Sequence, residues 1–152
     1  MQKRISPTLD QTECNCLALR QASRHISQLY DGHLAAEGLK TSQYSILAKL
    51  NRLGPLTINE LAKSMVMDRT TLGRAIRPLE RDRLLAVGGD DEDGRKRRLK
   101  LTPVGEAKFK AAAARWREAQ REFETAFGPA ESADLRGILR RVVSAAPSAP
   151  QG

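Results

Sequence analysis

Thr70, Arg74, Arg77 and Arg81 recur at intervals of four, three and four residues. At about 100° per residue this spacing lines them along one side of a helix. Leu72, Ala75, Ile76 and Leu79 fall on the opposite side. Arg69 and Thr71 flank the start of the same segment, and Gly73 sits among the cations. A row of guanidinium groups offers paired N–H donors, which suit phosphate oxygens and the acceptor edge of guanine. Gly73 removes bulk where a partner could approach closely, although glycine disfavours a helix by about 1 kcal/mol relative to alanine.

A second cationic set follows. Asp93, Arg95, Lys96 and Arg97 end a stretch, Gly88 to Arg97, whose Gly and Asp content suits a turn. A third set could sense a ligand or an oxidant: Cys16, Tyr30, His33 and Tyr44 lie on or near two amphipathic segments. Cys14 and Cys16 are two residues apart, so on a helix they point about 200° from each other and cannot hold one ion together. His25 and His33 are spaced to share a face, but histidines on helices commonly serve as hydrogen-bonded packing residues, and no metal site is expected. The chain has no Gly-rich phosphate loop and no paired His–carboxylate spacing, so an enzyme is not expected and no cofactor is implied.

The elements that must position these residues are legible around them. Thr57-Ile58-Asn59-Glu60 has the spacing of a capping box, starting a helix near Ile58 with Leu61, Ala62 and Met65 on its apolar face. The pattern breaks over Met65 to Asp68, and Asp68 can cap the cationic helix. Pro78 leaves the Arg74 carbonyl without its helical donor, so a bend is expected there. Leu84 to Val87 and Arg98 to Leu101 read as two short strands around the Gly/Asp stretch. The whole is a winged helix-turn-helix, able to place a helix in a major groove and a hairpin across the neighbouring backbone.

Around this unit, Gln11 to about Ala36 reads as a long helix with Cys16, Leu19, Ser23, Ile26, Tyr30 and His33 on its inward side, ended by Gly38. Thr41 is expected to cap a further helix through Tyr44, Ile46, Leu47 and Leu50, closed before Pro55. Thr102-Pro103 starts a helix from Val104 to Phe127, carrying Phe109, Ala112, Ala113, Trp116, Phe123 and Phe127. A last helix, about 130–144, carries Leu135, Ile138, Leu139, Val142 and Val143 on one face. So small a chain cannot cover that face unless the first helix or a second copy does, so a homodimer is expected.

The ordered set Leu61-Ala62, Asp68-Arg69-Thr70-Thr71-Leu72, Leu79-Glu80-Arg81-Asp82, then Asp93-Gly94-Arg95 with Leu99, Leu101 and Thr102 resembles the MarR family of bacterial transcriptional regulators. The resemblance covers about Cys14 to Val143. It implies a homodimer on a pseudo-palindromic double-stranded DNA operator, usually a repressor released by a small ligand or an oxidant. It further implies that Asp93 orients Arg95 at the wing tip. The placement of Cys16 before Arg24 and Tyr30 is similar to the sensing cysteine and one tyrosine of the organic-hydroperoxide (OhrR) branch, with Thr41 where the second tyrosine falls. The commoner alternative in the family is a small aromatic effector between the dimer helices and the DNA-reading lobe.

Composition bounds the rest. At 152 residues with a net charge of +8, the chain suits one domain with a polyanionic partner, and no apolar run is long enough for a membrane. No signal peptide is evident, so a cytoplasmic protein is expected. The expected layout is a mostly α fold with a small β wing: a flexible arm (1–9), one domain (10–144) and a disordered tail (145–152). Within the domain, a DNA-reading lobe (about 42–102) stands on dimerisation helices (about 10–37 and 103–144). The competing reading is a non-specific architectural or RNA-binding winged helix, because net charge alone does not confer base reading.

Overall fold

A computed structural model describes residues 11–89 and 96–145. The expected arm, the wing tip with Asp93 and Arg95, and all of the expected tail but Ala145 lie outside the described residues. After a 3-10 turn (Gln11–Glu13), α1 (Asn15–Leu34) opens with Cys14 as its cap, the Sγ accepting the Leu17 N–H at 3.4 Å. A second 3-10 turn (Ala35–Glu37) leads to Gly38, whose φ of 68° supplies the left-handed residue that ends the helix.

Helix α2 (Thr41–Leu53) begins one residue earlier than the expected Thr41 cap allows. Lys40 holds the cap position and its N–H donates to Gln43 Oε1 at 2.9 Å. The Thr41 N–H is taken by Asp31 Oδ1 of α1 at 2.7 Å, so the free amide is satisfied from a neighbouring helix instead of a local hydroxyl. A two-residue strand, β1 (Leu56–Thr57), precedes α3 (Ile58–Met65) and α4 (Arg69–Arg81). Then come β2 (Leu85–Gly89), β3 (Arg97–Leu101), α5 (Pro103–Phe127) and α6 (Pro129–Ala145). Helix α4 runs on past Pro78 to Arg81.

The strands form one antiparallel sheet in the order β1-β3-β2, with Leu56 and Val87 both opposite Leu99. β2 extends through Gly88 and Gly89, which pair with Arg98 and Arg97. The core joins α2, α3, α4 and the sheet to α5, through Ile46, Leu47, Leu61, Leu72, Leu79, Leu99 and Ala112 among others. Tyr44 is buried there, its ring stacked on Phe109 at 5.4 Å and Trp116 at 6.2 Å between centroids.

The inward stripe expected on α1 is only half right. Leu34 is buried and Ile26, Tyr30 and His33 are half-buried, but Cys16, Leu19 and Ser23 are exposed. Among the described residues, Cys16 therefore does not pack on apolar neighbours, because it is the C-terminal half of α1 that lies deeply against other elements. The apolar face of α6 is open as well, with Ile138 50% and Val143 60% exposed.

Candidate nucleic-acid interface

The helix-turn-helix is assembled by local capping. Thr57 Oγ1 accepts the Glu60 N–H at 3.2 Å and Glu60 Oε2 accepts the Thr57 N–H at 2.8 Å, the reciprocal pair expected of a capping box. Helix α3 ends on Val66 (φ 55°), with the Met67 N–H on the Ala62 carbonyl and the Val66 N–H on that of Lys63. This six-to-one and five-to-two pairing closes the turn. Asp68 then accepts the Thr71 N–H and the Thr71 hydroxyl, both at 2.7 Å, which starts α4. Thr71 is thus engaged with its own cap.

These hydrogen bonds stabilise ionised carboxylates. The Thr71 amide and hydroxyl hold Asp68 below the usual carboxylate range, and the Thr57 amide does the same for Glu60.

Leu72, Ile76 and Leu79 anchor α4 in the core, leaving Arg69, Thr70, Arg74, Arg77 and Arg81 exposed. The burial of one face therefore dictates the presentation of the other. Among the described residues, no carboxylate pairs with Arg69, Arg74 or Arg77, whereas Arg81 Nε lies 3.5 Å from Asp82 Oδ1. Gly73 lies within this face, and a Cβ there would meet nothing within 4 Å.

The wing supplies exposed Lys96 and Arg97 at the outer end of β3 and exposed Lys100 nearer its base. Arg98 behaves differently. Its Nη1 is 3.4 Å from the Pro55 carbonyl and 3.7 Å from Glu60 Oε2, so it ties β3 to the start of α3. Strand alternation, which turns neighbours to opposite faces, is the signal in the sequence that separates Arg98 from Arg97.

The candidate sensing residues are not gathered around one cavity within the chain. Cys16 and Tyr30 are fourteen positions apart on one helix, or about 21 Å along its axis. The Tyr30 hydroxyl donates to Gln120 Oε1 of α5, and burial, helped by the Glu124 carboxylate, pushes its pKa up. His33 Nε2 is 2.7 Å from Glu122 Oε2, with Glu118 Oε2 at 3.6 Å from Nδ1. Tyr44 belongs to the aromatic core, and burial raises its pKa too.

A three-stranded winged helix-turn-helix mounted on long helices, with an exposed cationic face on the second helix of the pair, defines the class. The chain belongs to the MarR family, whose model matches residues 39–96. MosR of M. tuberculosis is 32% identical, with a TM-score of 0.73 over 87% of this chain and 97% of that one, and it has also been solved with DNA. BpsR of Bordetella bronchiseptica, whose DNA binding is regulated by 6-hydroxynicotinic acid, is 25% identical, with a TM-score of 0.78 over 90% of this chain and 97% of that one. The uncharacterized HTH-type transcriptional regulator YxaD of Bacillus subtilis (strain 168) is 36% identical over 73 residues, 48% of this chain and 51% of that one. The chain spans about half the length of the curated relatives it matches. Among the described residues, no helix is long and apolar enough to cross a membrane and no cluster of His, Cys, Asp and Glu could hold a metal ion.

Proposed function

We propose that this chain is a sequence-specific, DNA-binding transcriptional regulator of the bacterial cytoplasm. It acts as a homodimeric repressor and leaves its operator when a small aromatic effector binds or when Cys16 is oxidised. The observation that carries the reading is the α4 face, where Arg69, Thr70, Arg74 and Arg77 stand exposed on a helix pinned by buried Leu72, Ile76 and Leu79. Arg74, at the middle of the face, reads base edges in the major groove, while Arg69 and Arg77 engage phosphate or flanking bases. Lys96, Arg97 and, as the family resemblance implies, Arg95 oriented by Asp93 contact the duplex beside it. The MosR–DNA structure, from a relative 32% identical, supports a DNA partner.

The uncovered apolar face of α6 supports the dimer. BpsR supports an aromatic acid as the effector class, for which Tyr30, His33 and Tyr44 are the candidate groups on this chain. The exposure of Cys16 supports access by an oxidant. The test of the central contact is Arg74→Ala. It should weaken operator binding by about 1–3 kcal/mol and relax base preference at one position of each half-site. Unchanged affinity and selectivity in a binding titration would show that this face does not read DNA.

A further inference from the structure

At the far end of α4, one hydroxyl joins three elements. The helix ends with Arg83 in a left-handed conformation (φ 57°), the Leu84 N–H on the Leu79 carbonyl at 2.8 Å and the Arg83 N–H on that of Glu80 at 2.9 Å. This turn exposes the Arg83 carbonyl to Thr102, whose hydroxyl donates to it at 2.6 Å. The same hydroxyl accepts the Gly105 N–H at 2.9 Å and so caps α5. Thr102 also donates its backbone N–H to the Leu84 carbonyl at 3.1 Å, one residue before the pairing of Leu85 with Leu101 that begins the wing. Gly105 closes the joint from the other side, because a Cβ there would lie 2.0 Å from the Leu84 carbonyl oxygen.

We propose that Thr102 is a positioning residue: its hydroxyl, held between Arg83 and Gly105, sets the angle between the recognition helix and the wing so that Lys96 and Arg97 reach the flanking duplex. This deepens the DNA-binding reading above and rests on it. The lever is short but steep. From the Leu85–Leu101 pair to the Gly89–Arg97 pair the wing spans about 13 Å. A tilt of about 10° at the joint therefore moves its outer end by roughly 2 Å, enough to break an ionic hydrogen bond. Arg98, clasped to Glu60 and Pro55, guides the same strand from the α3 side, so wing and helix-turn-helix are set as one body.

The test separates wing placement from folding. Two duplexes are cut from the footprinted site, one ending at the last major-groove contact and one extended by about half a helical turn on each side, so that only the second offers backbone to the wing. Wild type should bind the extended duplex about tenfold more tightly. Thr102→Val should lose most of that advantage, with affinity for the short duplex within about twofold of wild type. Thr102→Ser, which keeps the hydroxyl, should retain it. Thr102→Asp can still cap α5 but cannot donate to the Arg83 carbonyl, so it should fold, as judged by circular dichroism and thermal unfolding, and still lose the advantage. Parallel loss on both duplexes, or an advantage that survives in Thr102→Asp, overturns the proposal. A wild type that does not distinguish the duplexes overturns the wing contact itself, and the positioning role with it.

Discussion

Gly73 and Gly105 are both inside helices, yet they are glycine for opposite reasons. Around Gly73 there is open space, so the folded chain itself does not demand a glycine. Gly73→Ala should stabilise α4 by up to about 1 kcal/mol and raise the melting temperature. If α4 enters the groove with this face, the same methyl should weaken operator binding, and a variant that gains both stability and affinity would contradict close approach at Gly73. Gly105 has no such freedom, since its missing Cβ leaves room for the Leu84 carbonyl. Gly105→Ala should destabilise the fold by about 1–3 kcal/mol, measurable by urea denaturation, because backbone must shift to relieve the overlap. Cys16 is open to a direct assay: with organic hydroperoxide, Cys16→Ser should stay on DNA while Cys14→Ser responds like wild type. If Cys16→Ser is released by oxidant just as wild type is, sensing does not pass through this thiol.

At the level of elements, each of the two helices of the reading unit has a carboxylate in its N-terminal cap, Glu60 for α3 and Asp68 for α4. Asp68 and Glu60 have depressed pKa values, set first by hydrogen bonds from the Thr71 and Thr57 amides. Their stabilisation is therefore complete above the ordinary carboxylate range and is lost as pH falls through the depressed values. Melting temperature should drop on acidification below the ordinary carboxylate range, and Asp68→Asn, whose amide oxygen can still cap, should show a shallower acid slope than wild type. An acid slope unaltered by Asp68→Asn would remove this cap from the explanation.

These caps were legible because Thr57, Glu60 and Asp68 act on residues three positions away in the chain. The start of α2 was not, since the amide of Thr41 is satisfied by Asp31 from another helix. Among the described residues five helix ends are closed at a residue of positive φ; Gly38, Gly54 and Gly128 have the residue type that announces one, whereas Val66 and Arg83 adopt such a conformation against their preference. Strand β1, two residues long and adjoining Pro55, is too short to show a period and exists because Leu99 and Arg98 offer it partners. The apolar period of α1 was readable, but periodicity cannot say which half of a helix its own chain will cover, and so Cys16 was expected inside and is exposed.

Over the whole molecule, the buried core lies at the reading unit and its junction with α5, while α6 and the first half of α1 keep apolar side chains uncovered. A second copy is the simplest cover. Ile138→Glu combined with Val142→Glu should leave the reading unit folded, shift the protein to a monomer in sedimentation, and lower operator affinity by about 10²-fold or more as the paired binding is lost. A variant that still sediments as a dimer would place the interface elsewhere.

The proposed symmetric, base-reading complex is tested directly by hydroxyl-radical footprinting of the wild-type protein on DNA from upstream of its own coding region. It predicts one protected site made of two half-sites about 10 base pairs apart, related by a dyad. Unbroken protection along every duplex offered, with no preferred position at any protein concentration, would contradict it and leave a non-specific DNA-coating protein in its place.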